Sequence, residues 1–342
     1  MKSIEVHGRN RKSIVMVGEN LLNLKSYLPD TRTIVISDPN VIHYYRPEFP
    51  PADVIPIGIG EDVKNLKTVE NIYAELLRLD ADRSSFIVGI GGGIVCDIAG
   101  FVASTYLRGV RFAFASTTLL SQVDASVGGK NGVNFRGFKN MVGTFNQPEF
   151  VLCDINLLNT LPEKEILCGF AEIVKHAALG DAALFAYLEQ NAERALALDH
   201  EVIEKIVYDS VSLKASVVNL DELEKGERRK LNFGHTFGHA IEKIHRFPHG
   251  QAVSIGMVAA ARLSARKNLL SESSAARLEN LLRRLKLPTR LAWQPNEMMD
   301  ALRKDKKRAG DKINFVLLRD IGVAVMEKIS VAELERELRA LD

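Results

Sequence analysis

The chain has 342 residues, 46% hydrophobic and 26% charged, with 45 basic against 43 acidic side chains and a net charge of +2. That length exceeds one ordinary compact core and predicts two domains in a globular protein of average composition. The near balance of charge excludes bulk binding to nucleic acid or to a membrane surface, both of which need a clear basic excess, so any anion site must be local. Cys96, Cys153 and Cys168 fit neither a disulfide framework nor a CxxC metal site, which points to a reduced cytoplasmic setting. The start, MKSIEVHGRNRKSIVMVG, is charged and strand-like without the apolar core of a signal peptide. No run approaches the ~18 apolar residues of a membrane span.

Taken in chain order, Ser13 to Val17 reads as a short strand, followed by Gly18-Glu19-Asn20 and an apolar-periodic stretch. Thr33 to Ile36 is a second, buried-type strand that ends in Ser37-Asp38-Pro39-Asn40. Val54 to Ile59 is a third, and Gly60-Glu61 opens a helix expected to reach Leu79. Phe86 to Ile90 is a fourth, ending in Gly91-Gly92-Gly93. Strands separated by helices imply parallel pairing, because parallel neighbours need a long crossover. Residues 1–155 are therefore expected to be an α/β nucleotide-binding domain. From Leu161-Pro162-Glu163 helical periodicity dominates: Glu163–His176, Ala182–Asn191, His200–Glu222, Gly234–Ile244, Ala252–Lys267 and Ser273–Leu285. Ile313 to Leu317 reads as a late strand and Val331 to Leu341 as a last helix. Residues 156–342 are thus expected to form a mostly helical second domain.

Three stretches carry chemistry. Gly89-Ile90-Gly91-Gly92-Gly93-Ile94-Val95-Cys96-Asp97 follows a strand and opens a helix, where missing side chains and free N–H groups suit a phosphate. A tight packing turn has the same composition, and the spacing is not GxGxxG. Asp38, Asn40, Glu61 and Lys64 stand at strand ends, as ribose or phosphate contacts or as caps. Ser116 to Asn134 is long, polar and Gly-rich and contains Lys130; Lys139-Asn140 follows, so two lysines lie near flexible glycines, which suits an anionic substrate, while a solvated loop has the same composition. In Asn232-Phe233-Gly234-His235-Thr236-Phe237-Gly238-His239-Ala240 two histidines are four apart on one helix face, and His249 follows ten residues later. With a carboxylate such as Glu172, three residues before Lys175, such histidines make the ligand set of an open catalytic metal site. His245 has no such context and is expected to be exposed.

At these residues the chain resembles the 3-dehydroquinate synthases, within the wider sugar-phosphate cyclases. The likeness runs from Asp38 to Gly310 and rests on GGGIVCDIAGFVASTYLRG, TTLLSQVDASVGGKNGVN, GFKNMVGTFNQP, FAEIVKH, LNFGHTFGHAIE and HGQAVSIGM. The resemblance implies an N-terminal α/β NAD-binding domain, a mostly helical C-terminal metal-binding domain and an active site between them. It implies a divalent metal, zinc or cobalt, on Glu172, His235 and His249. NAD contacts carried over by motif are Asp38, Asn40, Glu61, Lys64, Gly91, Gly92, Gly93, Asp97, Thr117, Thr118, Lys139 and Thr160. Substrate and catalytic contacts are Arg108, Asp124, Lys130, Asn140, Lys175, Lys214, Arg228, Asn232, His239 and Lys306, the last beside Lys307.

The chain departs from the family pattern in a few places. Cys96 stands for a usual glycine, Ser116 for proline, Asn131 for threonine and Gln251 for glutamate, and the segment from His239 to His249 is slightly short. Asparagine at 232, with His239 and Lys306, favours the dehydroquinate branch, because inosose- and valiolone-forming members tend to carry an acidic residue there. The implied reaction closes 3-deoxy-arabino-heptulosonate 7-phosphate into 3-dehydroquinate and releases phosphate, with NAD regenerated at each turnover. The implied partners are this small sugar phosphate and a second copy of the chain, in the cytoplasm, without nucleic acid or membrane. The alternatives are a 2-deoxy-scyllo-inosose or 2-epi-5-epi-valiolone synthase, and a metal-dependent alcohol dehydrogenase of the glycerol dehydrogenase type.

Overall fold

A computed structural model describes residues 1–9, 11–245, 247–291, 295–303, 308–309 and 312–340. The chain divides into two compact units: Met1–Pro162 with Lys214–Leu223, and Glu163–Leu213 with the chain from Glu224 onward.

The first unit runs through β1 (Lys2–His7), β2 (Lys12–Val17), β3 (Thr33–Ser37), α1 (Pro39–Tyr45), β4 (Asp53–Pro56), α2 (Leu66–Arg78), β5 (Phe86–Gly91), α3 (Gly93–Thr105) and β6 (Arg111–Ser116). A hairpin of β7 (Lys130–Phe135) and β8 (Phe138–Phe145) follows, and then β9 (Phe150–Cys153). Seven strands form one sheet in the order β1-β2-β9-β6-β5-β3-β4. Every pair from β2 to β4 is parallel, and β1 closes one edge antiparallel to β2. From β3 the chain steps outward to β4 and then returns past β3 to β5 and β6. The winding therefore reverses between β3 and β5, the switch point at whose carboxyl ends open α/β sheets hold ligands.

Both faces of this sheet are covered, which explains its continuous apolar runs TIVIS and FIVGIG. On one face Val35, Val88, Ala113, Ala115 and Leu152 join Leu21, Leu24, Phe49 and Phe86 in a core. The alternate residues Ile34, Ile36, Ile87, Phe112 and Phe114 are equally buried. Helix α3 closes on β5 at Gly89, where a Cβ would stand 2.9 Å from the Cβ of Ala99.

Two expectations for this unit shift. The strand expected over Val54–Ile59 stops at Pro56, and the helix expected from Gly60 begins at Leu66. Gly60 takes φ +89° and a short turn Glu61–Val63 intervenes, after which the side chain of Asn65 caps α2 by accepting from Thr68 N–H. The polar, Gly-rich stretch from Ser116, for which the sequence predicts no element, contains a π-helical turn Ser121–Ala125 and strand β7. Its Asn131 is buried, and its side-chain amide donates to the carbonyls of Gly129 (3.0 Å) and Asn146 (2.9 Å).

The second unit contains α4 (Glu163–Gly180), α5 (Ala182–Leu196), α6 (His200–Leu220), α7 (His235–His245), α8 (His249–Arg266), α9 (Glu272–Arg284) and α10 (Pro295–Arg303). It ends in β10 (Arg308–Ala309), β11 (Lys312–Asp320), β12 (Val323–Ser330) and α11 (Val331–Ala340). From Lys214 onward α6 counts with the first unit. Helices α4 to α9 and α11 lie within a few residues of where periodicity predicts them; α10 has no counterpart among the predicted elements, and the expected strand Ile313–Leu317 is the middle of a three-stranded sheet β10-β11-β12.

Helix α8 is buried on nearly every side, from Ala252 to Ala265, as a helix apolar all round must be. Its neighbours come close through missing side chains. A Cβ at Gly250 would lie 2.4 Å from the Cα of Cys168 in α4, and one at Gly256 would lie 2.1 Å from the Gly234 carbonyl at the head of α7. These approaches bring one face each of α4, α7 and α8 together.

Candidate functional site

In the first unit the strand ends are in register: Ser37 faces Ile90, Gly91 faces Ser116, and Ser116 faces Cys153. Asp38, Gly92 and Thr117 therefore share one edge of the sheet beside the switch point. Asp38 caps α1, its Oδ1 accepting from Asn40 N–H (2.9 Å) and Val41 N–H (3.1 Å). Burial raises the pKa of this carboxyl, and those two N–H groups oppose the rise. Asn40 is exposed in the first turn of the same helix.

The glycines open α3, a helix of 13 residues whose N-cap, Gly92, offers no side chain to the first turn. A Cβ at Gly91 would meet Val95 at 2.5 Å, one at Gly92 would meet Thr118 Cγ2 at 2.8 Å, and one at Gly93 would meet Ala125 Cβ at 2.9 Å. Side chains are excluded on all three, and the N–H groups of the first turn remain for an anion. This cradle fits a dinucleotide pyrophosphate. Thr118 hydrogen-bonds Ser121, Oγ1 to Oγ, at 3.0 Å. Thr160 lies by α1 instead, its Oγ1 2.7 Å from the hydroxyl of Tyr45.

Lys64 is buried and pairs with the Asp97 carboxylate, and its Nζ donates to Asn140 Oδ1 at 2.6 Å. Burial raises the Asp97 pKa while Lys64 pulls it back. Asn134 joins the group: its backbone N–H donates to the Lys64 carbonyl (2.8 Å), its Nδ2 to Glu61 Oε1 (2.7 Å), and its Oδ1 accepts from Asn140 N–H (2.9 Å). Glu61, Lys64, Asp97 and Asn140 thus form one cluster around an asparagine that motif reasoning left without a role. Asn140 takes φ +51°, a conformation asparagine tolerates.

Lys130 and Lys139 are exposed at the starts of β7 and β8. Asp124 and Lys214 form an ion pair, and Lys214 Nζ also donates to the Asp124 carbonyl. Arg108 follows α3 at φ 67°, next to Leu107 at φ 49°. Two successive left-handed non-glycine residues cost roughly 1–2 kcal/mol each, strain of the kind that gathers at functional positions.

In the second unit Glu172, Lys175, His235 and His249 come together. Glu172 from α4 is 0% exposed and Lys175, one turn on, 2%. The ammonium of Lys175 pairs with Glu172 Oε2. Glu172 Oε1 faces His235 Nε2 at 3.6 Å and His249 Nε2 at 3.5 Å. These separations exceed a hydrogen bond, yet tetrahedral ligands about 2.0–2.1 Å from one ion lie about 3.3 Å apart. One donor atom from each of the three lies within 4.8 Å of the others. The outer ring nitrogens are occupied: His235 Nδ1 lies 3.2 Å from the Phe233 carbonyl and His249 Nδ1 2.6 Å from Glu242 Oε1. That leaves both Nε2 atoms turned inward, and the donor set fits a divalent ion.

The electrostatics agree. Burial holds the pKa of His235 well below its ordinary value, so the ring is neutral, as a ligand must be. Burial works the same way on His249, but Glu172 and Glu242 outweigh it and raise this ring to about 9. His249 therefore carries a proton between these two carboxylates, and a metal on its Nε2 would have to displace that proton.

Around this cluster, the ring centroid of His239 lies 5.3 Å from that of His235, edge-on. Arg228 is buried in the turn Glu227–Asn232 that leads into α7. Asn232 Nδ2 donates to Glu224 Oε1 (2.6 Å) and to the Arg229 carbonyl (3.2 Å). Lys306 lies outside the described residues. Glu224 and Glu242 went unassigned in the sequence. The second was traceable, since it stands seven residues after His235 on the same helix face. His245 is exposed as expected. Cys96, Cys153 and Cys168 are free and buried, and burial pushes the Cys96 thiol up to about 12. Among the described residues no helix is long and apolar enough to cross a membrane.

Comparison with known proteins bears on the whole chain. Residues 54–168 match the family described as 3-dehydroquinate synthase N-terminal, and residues 169–308 match 3-dehydroquinate synthase C-terminal. The chain is 40% identical to the 3-dehydroquinate synthase of Dehalococcoides mccartyi (strain CBDB1), over 95% of each protein. Among solved structures it is similar to 2-deoxy-scyllo-inosose synthase complexed with carbaglucose-6-phosphate, NAD+ and Co2+, at 27% identity and a TM-score of 0.88 over 99% of this chain and 100% of that one. It is also similar to 2-epi-5-epi-valiolone synthase from Streptomyces hygroscopicus subsp. jinggangensis 5008 with NAD+ and Zn2+ bound, at 27% identity and a TM-score of 0.88 over 100% of this chain and 99% of that one. With two family matches that meet end to end and a relative aligned along nearly its full length, the chain belongs to the 3-dehydroquinate synthase family.

Proposed function

We propose that this chain is a cytoplasmic, homodimeric enzyme that converts 3-deoxy-arabino-heptulosonate 7-phosphate to 3-dehydroquinate and phosphate, a carbon–oxygen lyase of the shikimate route to aromatic amino acids. The observation that carries the choice among cyclases is the 40% identity to a 3-dehydroquinate synthase against 27% to the inosose and valiolone synthases. Its cofactors are NAD and a divalent ion, zinc or cobalt; when bound, NAD takes up and returns a hydride and the ion acts as a Lewis acid on substrate hydroxyls. Residues 1–155 serve the dinucleotide and residues 156–342 the metal and much of the substrate.

In this reading the N–H groups at the head of α3, cleared by Gly91, Gly92 and Gly93, donate to the pyrophosphate. Asp38 accepts from the ribose hydroxyls through the carboxylate oxygen that does not cap α1. Asn40, Glu61, Lys64, Asp97, Thr117, Thr118, Lys139 and Thr160 complete the dinucleotide contacts. Glu172, His235 and His249 hold the ion. Lys130 and Arg228 hold the substrate phosphate with Asn140 or His239. Lys175, Lys214 and Arg108 meet the carboxylate and the oxyanions that develop, with Asp124, Asn232 and Lys306 as further substrate contacts. Fixed charges aimed at developing charge are commonly the largest catalytic contribution.

The test is to supply metal-loaded protein with NAD and 3-deoxy-arabino-heptulosonate 7-phosphate, then follow free phosphate and NADH absorbance together. Phosphate release without net NADH, with dehydroquinate as product, is expected. No phosphate release from protein whose metal content is verified would overturn the reading. NADH accumulation without phosphate would favour the dehydrogenase alternative.

A further inference from the structure

The metal cluster described above is supported unequally. His235 is backed by a neutral carbonyl at 3.2 Å, whereas His249 is backed by a carboxylate at 2.6 Å. Glu242, the source of that carboxylate, stands on α7 seven residues after His235. Two helical turns return to nearly the same face. One helix therefore supplies a ligand, His235, and also the group that orients the other ligand, His249, on the next helix. The side chain of Glu242 is 10% exposed, so its charge is little screened by water.

We propose that Glu242 is the positioning residue of the metal centre: it accepts the Nδ1 proton of His249, fixes the ring with Nε2 toward Glu172, and makes that nitrogen the stronger donor of the pair. A ligating histidine whose second nitrogen meets a carboxylate is held in one tautomer and one orientation and is a more basic ligand. The inference rests on Glu172, His235 and His249 being the metal ligands. It adds that the affinity of this triad depends on a fourth residue that is not a ligand. A further consequence is that α7 and α8 are coupled through the site. Any movement of α7 by a fraction of an ångström shifts both His235 and the orienter of His249.

The experiment strips the protein of metal with a chelator and titrates Co2+ or Zn2+ against a chromophoric competitor. Wild type, Glu242→Gln, Glu242→Ala and a control on α8, Gln251→Ala, are compared. The wild type is expected to bind one ion per chain. Glu242→Ala should bind roughly 10- to 100-fold more weakly, Glu242→Gln roughly 10-fold, and the control within about twofold of wild type. The visible absorption of bound Co2+ should change in both Glu242 variants and stay fixed in the control, which a general loss of stability would not produce. Glu242→Ala bound as tightly as wild type, with unchanged Co2+ absorption, would overturn the proposal. Should the alanine variant fail to fold by circular dichroism, the nearly isosteric glutamine variant decides in the same way. A wild type that binds no ion would instead remove the ligand triad itself.

Discussion

The glycine turn at the head of α3 and the histidine–glutamate cluster of α4, α7 and α8 are both suited to ionic ligands, and they are built by opposite means. The first is made of backbone: its donors are peptide N–H groups, and its glycines matter because Val95, Thr118 and Ala125 leave no room for a Cβ. The second is made of side chains: Glu172, His235 and His249 project inward, with Glu242 and the Phe233 carbonyl behind the rings. A backbone site is broken by adding atoms, and a side-chain site by removing them.

Three variants sharpen this contrast, beginning with the largest effect. His235→Ala removes one of three ligands and should lose bound metal in elemental analysis. Activity should fall at least ~1000-fold, because Lewis-acid stabilisation is worth several kcal/mol. Full metal occupancy in that variant would strike His235 from the ligand set. Next, Gly92→Ala places a Cβ 2.8 Å from Thr118 Cγ2. Overpacking of this kind costs roughly 1–3 kcal/mol, so NAD binding by calorimetry should weaken by about 10- to 100-fold with metal content unchanged. Adding Thr118→Ser, which deletes the offending methyl, should recover much of that loss. Unaltered NAD affinity in the single variant would mean that the turn serves packing alone. The smallest effect belongs to Asn131→Ala. It takes the side-chain donor from the carbonyls of Asn146 and Gly129, the second of which keeps the Asn146 N–H at 2.8 Å, and should lower stability by roughly 1–3 kcal/mol in denaturant unfolding, with the metal still bound. An unchanged unfolding midpoint would show that water replaces the amide without cost.

The same contrast explains what was legible in the sequence. The strands TIVIS and FIVGIG were readable because a sheet covered on both faces demands unbroken apolar runs. Helix α8 and the other long helices were readable from their period. His235, His239 and His249 stood out because histidines at helical spacing beside glycines are uncommon. Hidden were features whose partners lie far away in sequence. The hairpin of β7 and β8 gives no strand signal because asparagine and glycine are poor strand formers. Only the fold shows Asn131 closing two carbonyls, with its Oδ1 2.0 Å from where a Gly100 Cβ would be. Asn134 and Glu224 carried no local signal at all. The departure at Cys96 is a buried, alkaline-shifted thiol with a packing role, its Sγ 3.7 Å from the Gly91 carbonyl. Nothing in the structure explains why glutamine stands at 251.

The return of Lys214–Leu223 to the first unit has a consequence for how the protein is made. When Pro162 has left the ribosome, every strand of the seven-stranded sheet exists. Asp124 still lacks Lys214, the His7 amide lacks Asn219, and the Arg9 amide and Gln147 lack Glu222. Those partners arrive only after α4, α5 and most of α6 have been synthesised. Domains usually complete themselves in the order of translation. Here the first to begin must wait for a segment that the sequence places between the two parts of the second, so no single point in the gene separates the two as cassettes.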